Sequence, residues 1–183
     1  MLLFEQGKDA CRLAKQYREQ GVDKYAFWQV NGSPIFGMMP PGIIAGVDVA
    51  EPIYLQRGNA LWGATHIEKR HQAWLTKNNH SVASMVYLKL RQQGDVYSAE
   101  EPEKSKILMR VNPSALLLLR HSLDGYFSVT SMYFKNEALD GLFLGKYFDL
   151  MSGSSNTLVF TPPPEPVAPS VSYVKRRRIP DSS

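Results

Sequence analysis

Apolar residues first recur with helical spacing at Ala10, Leu13, Ala14 and Tyr17, while Lys8, Arg12, Lys15 and Glu19 fall elsewhere. That pattern predicts an amphipathic helix over residues 7–20, closed by Gly21. The period then shortens. "YAFWQVNGSPIFGMM" places two β-rich runs around "NGSP" and predicts a hairpin. "PPG" at 40–42 is a loop, and "IIAGVDV" and "PIYLQ" read as short extended segments interrupted by Gly46 and Pro52. Helical spacing returns at Ile67, His71, Trp74 and Leu75. Thr65 with Glu68 three residues later fits a capping box, which makes Thr65 the N-cap and His66 the first helical residue. Asn78 and Asn79 end this helix.

"SVASMVYLKLRQQGDVY" fits either a helix closed by Gly94 or a strand. "SAEEPEKS" is a polar loop, "KILMRVN" a strand, and "SALLLLRHS" a strand or a short buried element. Asp124-Gly125 is a hairpin signal, so "LLLLRHS" and "YFSVTSMYF" are expected to pair antiparallel. "TPPPEPVAPS" is an extended linker, and "VSYVKRRRI" has the makings of one edge strand. There is no internal repeat. The expected fold is α+β, with N-terminal helices followed by an antiparallel sheet. The expected organisation is a helix-and-hairpin extension over 1–40, a domain over 41–160, and a Pro-rich, basic tail over 161–183.

Composition changes this picture little. A chain of 183 residues, 44% hydrophobic and 21% charged, is long enough for one domain with a real core. No apolar run reaches the roughly 18 residues that cross a bilayer. The opening "MLLFEQGKDACRLAKQYREQG" lacks a basic n-region, which argues against a signal peptide and favours a cytoplasmic location without membrane association. Cys11 is the only cysteine, so neither an intrachain disulfide nor a cysteine zinc site is available. The net charge of +4 and pI of about 9.1 lean towards polyanionic partners, but "KRRR" at Lys175–Arg178 supplies all of the excess.

Two stretches have the composition of a chemical site. In "GATHIEKRH", His66 and His71 are five residues apart, about 140° around a helix, whereas a helical zinc pair needs i, i+4. No metal or other cofactor is therefore expected. His71 shares the apolar stripe with Ile67 and Trp74, so a hydrogen-bonded core histidine is as good a reading as a catalytic one. His66 at a helix start, with Lys69 and Arg70 one turn on, resembles a phosphate platform. In "GYFSVTSMYF", alternation puts Phe127, Val129, Ser131 and Tyr133 on one face and Tyr126, Ser128, Thr130 and Met132 on the other. The second set supplies a phenol and two hydroxyls, a floor for a polar cleft or an ordinary solvent-facing strand.

Together, "GNALWGATHIEKRHQAWL" and "ILMRVNPSALLLLRHSLDGYFSVTSMYF" resemble the phage-associated branch of the barnase–EndoU–colicin–RelE superfamily of toxin ribonucleases, over roughly residues 45–150. The resemblance implies a helix packed on a curved antiparallel sheet whose exposed face binds RNA. It carries catalytic roles onto His66, His71, Ser128 and Thr130. The expected activity is metal-independent cleavage of RNA through the ribose 2′-OH, leaving a 2′,3′-cyclic phosphate. Lys69, Arg70, Arg110 and Tyr126 are candidates for holding phosphate or RNA, and Tyr126 or His121 for a second proton-transfer group. An immunity or antitoxin protein is the partner such an enzyme needs. Tyr25, Trp28, Trp62, Tyr87 and Tyr97 are candidates for base stacking, with core packing the stronger expectation. The competing reading is a non-catalytic phage protein that grips a host protein or nucleic acid through its basic tail and Pro-rich arm.

Overall fold

The computed structural model describes residues 23–99, 106–111, 115–133, 141–151 and 157–165. The helix expected over 7–20 and the tail strand in "VSYVKRRRI" lie outside these residues. The chain divides into a unit spanning Lys24–Pro164 and a second comprising Met1–Asp23 with Glu165–Ser183. The larger unit reaches back to Lys24, ahead of the boundary expected at residue 40.

Its elements are β1 (Gln29–Val30), β2 (Ile35–Met39), β3 (Glu51–Tyr54), α1 (Gly63–Lys77), α2 (Val82–Leu90), β4 (Gly94–Ser98), β5 (Lys106–Val111), β6 (Leu116–Ser122), β7 (Tyr126–Tyr133), β8 (Phe143–Tyr147) and β9 (Phe160–Thr161). The fold is α+β. Both described helices fall between β3 and β4, so they are not N-terminal as expected. Seven strands order as β2-β3-β7-β6-β5-β4-β8, and β1 pairs separately with β9. Every described pairing between strands is antiparallel except β3 with β7, where Ile53 faces Phe127 and Tyr54 faces Ser128. That parallel junction departs from the antiparallel sheet expected. It brings a strand from before the helices beside one from after them, a crossover that parallel strands require.

Local chemistry explains the elements. "NGS" turns on Asn31 and Gly32, both at positive φ (50° and 79°), which only small or Asx-type residues adopt readily. The segment left open between helix and strand divides in two: Ser81 and Ser84 form a reciprocal capping box that starts α2, and β4 begins at Gly94. The β6–β7 hairpin forms as expected, with Ser122 opposite Tyr126. It contains one irregularity that alternation does not reveal. Leu118 faces Ser131 and Leu119 faces Val129, so Thr130 is the extra residue of a β-bulge. Beyond it the faces exchange, and Met132 rather than Ser131 joins Phe127 and Val129 in the core.

That core unites Ile53 and Leu55 after β2's Phe36, Ile67 of α1, Leu90 of α2, Leu117 and Leu119 of β6, and Tyr147 of β8. The strands at the two ends of the sheet order both reach Leu90. The Tyr147 phenol donates to the Leu90 carbonyl at 2.8 Å, and a Cβ on Gly37 would lie 3.3 Å from the Leu90 side chain and 3.1 Å from the Tyr147 oxygen. Burial, then the Asp149 carboxylate, pushes the Tyr147 pKa well above its ordinary value, so the phenol remains a donor throughout the neutral range. Arg91 spans the same seam, bonding the Phe36 carbonyl at 2.6 Å and pairing with Asp149 at 3.0 Å. No helix among the described residues is long and apolar enough to cross a membrane. Tyr147→Phe should lower stability by about 1–3 kcal/mol, read from the urea midpoint, because it orphans a buried carbonyl without removing the ring.

Candidate functional site

α1 starts three residues earlier than expected, and its start has a different chemistry. Trp62, not Thr65, is the N-cap and has no side-chain capping bond; Thr65 is exposed in the first turn. Backbone carbonyls do the capping instead: Ala64 N–H donates to Gln56 O at 3.0 Å and Thr65 N–H to Arg57 O at 2.9 Å. This loop-to-helix closure depends on two glycines at positive φ, Gly58 (68°) and Gly63 (78°). A Cβ on Gly58 would fall 1.9 Å from the Trp62 carbonyl oxygen. Two first-turn donors that could have bound phosphate are therefore used inside the protein.

The sequence candidates are mostly engaged. His66 is buried, 8% exposed, and its Nδ1 donates to the Ala60 carbonyl at 2.9 Å. His71 is half-buried and hydrogen-bonded to the Met132 backbone. Burial, followed by the charges of His66 and Arg70, holds the His71 pKa below its ordinary 6.5, against the opposing pull of the Met132 bond. Lys69 and Arg70 are exposed. Ser128 is buried and donates to the Gln56 side-chain oxygen at 2.7 Å, and Thr130 donates to the Leu118 carbonyl at 3.0 Å. Ser128, Thr130 and Met132 consequently do not form one hydroxyl-lined row: the bulge separates them. Arg110 lies on β5 with its backbone opposite Asp95 and Leu116, and its side chain is outside the described residues. Tyr126 packs against Tyr54 at 5.2 Å and Phe27 at 6.2 Å between ring centroids. Among the described residues no group of three or more metal-ligating side chains is assembled.

A different imidazole–carboxylate pair is in contact. His121 Nε2 lies 2.7 Å from Glu51 Oε2, and the imidazole stacks on Phe127 at 4.5 Å with a 20° interplanar angle. Their side chains are 25% and 13% exposed, so the pair is shielded on one side and open to solvent on the other. The hairpin places His121 opposite Phe127, and the parallel β3–β7 junction delivers Glu51. The Asp124-Gly125 turn signal already pointed to the first of these placements. Glu51 had no sequence signal, being 70 residues away across a parallel pairing. No protein-family model matches the chain, and neither curated proteins nor solved structures give a significant match.

Two measurements test this geometry. Gly58→Ala should destabilise the fold by at least about 2 kcal/mol in urea unfolding, through left-handed backbone strain plus the clash with Trp62. For His71, the unfolded chain binds more protons than the folded one between the lowered pKa and 6.5, so stability falls as pH falls through that window. His71→Gln should therefore lose less stability than the wild type between about pH 7.5 and about pH 5.5.

Proposed function

We propose that the Lys24–Pro164 unit is a metal-independent endoribonuclease of toxin type, with His121 and Glu51 as its proton-transfer pair. The observation that carries this reading is the 2.7 Å contact between a part-exposed imidazole and a carboxylate, with the ring held flat against Phe127. A carboxylate on Nε2 keeps the proton there and leaves Nδ1 as the acceptor, the orienting logic of a histidine–carboxylate pair. Nδ1 takes the proton of a ribose 2′-OH. The 2′ oxygen attacks phosphorus, the bond to the 5′ oxygen breaks, and solvent water protonates that departing oxygen. The imidazolium returns its proton to the hydroxide so formed, leaving a 2′,3′-cyclic phosphate and a 5′-hydroxyl. Glu51 stabilises the imidazolium that forms.

In this reading His66 and His71 hold α1 in place instead of moving protons. The common approach of β2 and β8 to Leu90 supports the curved sheet that the superfamily resemblance implies. A cytoplasmic site of action and an immunity or antitoxin partner follow from the same proposal. One set of observations favours the competing reading of a non-catalytic binding protein: both α1 histidines and the Ser128 and Thr130 hydroxyls are all spent on internal hydrogen bonds.

Incubation of the full chain with total cellular RNA in EDTA distinguishes the two. Wild-type protein should leave cyclic phosphate ends, and His121→Ala should slow cleavage by roughly 10²–10⁴-fold. Glu51→Gln should also slow it, by misorienting the ring. RNA left intact at high protein concentration, with and without Mg²⁺, would instead establish the binding protein.

A further inference from the structure

The largest unexplained feature of the surface is a set of aromatic rings that take no part in the core. Phe27, Tyr54 and Tyr126 contact one another at centroid distances of 4.7, 5.2 and 6.2 Å. Tyr25 and Trp62 form a second contact at 5.8 Å. None of the five belongs to the apolar core cluster or to the side chains packed against it. Each keeps solvent exposure, and Tyr25 is 57% exposed. Core aromatics such as Phe36 and Phe127 are fully buried, so the contrast is between two environments for one residue class.

The backbone builds this row. Phe27 bridges Gln56, and Gly58 N–H and Arg57 N–H donate to the Lys24 and Ala26 carbonyls, so residues 24–27 run alongside the chain leaving β3. Phe27 lies on this bridge, and Tyr25 sits in the turn just before it. Tyr54 and Tyr126 come from the parallel β3–β7 junction, Tyr54 beside Ser128. Cations border the rings. The Lys24 ammonium lies 5.0 Å from the Tyr25 ring centroid, and exposed Arg120 faces Ser128 across β6 and β7, on the face that alternation gives to Tyr126.

We infer that the Phe27–Tyr54–Tyr126 cluster with the Tyr25–Trp62 pair is a stacking track for single-stranded RNA, with Lys24 and Arg120 at its phosphates. Part-exposed rings accept unpaired bases of any identity, and bordering cations complement the backbone charge. A duplex hides its base faces and has nothing to stack. The inference deepens the ribonuclease proposal and rests on it for the substrate being RNA. The two sites share the hairpin but lie on opposite faces of it: Tyr126 and Phe127 alternate along β7, and His121 stacks on Phe127.

The test is fluorescence anisotropy of the full chain with labelled oligo(U), oligo(dT) and a duplex of equal length. Oligo(dT) lacks the 2′-OH, so it reports binding where cleavage is impossible. Both single strands should bind more tightly than the duplex, and affinity should fall as salt rises. Tyr54→Leu with Tyr126→Leu keeps apolar volume while removing the rings; it should weaken single-strand binding by at least about tenfold. Unchanged thermal unfolding of that variant separates lost stacking from lost fold, and Lys24→Gln with Arg120→Gln gives a second, non-aromatic variant that should flatten the salt dependence. Equal affinity for duplex and single strands, or no effect of either variant, overturns the track. So does the absence of single-strand binding at low salt. Ring-dependent binding of oligo(dT) without any cleavage of RNA would leave the track standing and remove the enzyme.

Discussion

Gln56 is the residue through which the described elements are tied. It is 4% exposed, and its side chain accepts from Ser128 on β7 at 2.7 Å while donating to the Tyr25 carbonyl at 3.2 Å. Its own carbonyl accepts from Ala64 in the first turn of α1, and its backbone bridges Phe27. A buried amide carries donors and acceptors that each cost about 1–3 kcal/mol when left unpaired. Satisfying them here fixes the exit of β3, the start of α1, the parallel partner strand and the segment that carries Tyr25 and Phe27. The Gln56 side chain thus ties the parallel partner strand to the segment carrying Tyr25, while its backbone ties the helix start and Phe27 to the exit of β3.

This arrangement also explains why the polar residues of the two conspicuous stretches are internal. An α1 that begins against a loop, with Gly58 and Gly63 closing on each other, has two of its first-turn donors already bonded to backbone carbonyls. His66 then meets the Ala60 carbonyl, and His71, one helical turn and more beyond it, meets the backbone of β7. Imidazole is well suited to such positions because its apolar ring packs while one N–H finds a carbonyl. The bulge at Thr130 has a comparable effect on the strand: it turns one hydroxyl back to Leu118 and lets Met132 fill the core. What remains open to solvent lies at the other end of the hairpin, with Glu51, His121 and Tyr126.

Much of the local structure was legible before any coordinates. The β6–β7 pairing followed from Asp124-Gly125 between two apolar runs, because a short turn with Gly125 at positive φ (77°) leaves the flanking strands little choice of partner. The apolar stripe of α1 at Ile67, Trp74 and Leu75 was equally readable. Of the expected hairpin only the turn at Asn31-Gly32 forms, closed by the Val30–Ser33 bridge, while β1 pairs with β9 and β2 with β3. The Thr65–Glu68 capping box was not realised, since backbone carbonyls from Gln56 and Arg57 outcompeted a side-chain cap that offers the same bonds later in the chain. The ambiguous segment at residues 81–97 became a helix and then most of a strand, with Ser81 and Ser84 deciding the start of α2.

By itself, then, the order of residues determined the short-range structure, where period, turn chemistry and capping act within a few positions. Tertiary structure decided what alternation cannot encode: the β3–β7 pairing, the phase shift at Thr130, and the meeting of Glu51 with His121 across 70 residues. The reason is physical. A turn or a helix stripe is written in neighbouring side chains, whereas a parallel neighbour and a buried amide's partners are chosen by which long-range packing leaves the fewest polar groups unsatisfied.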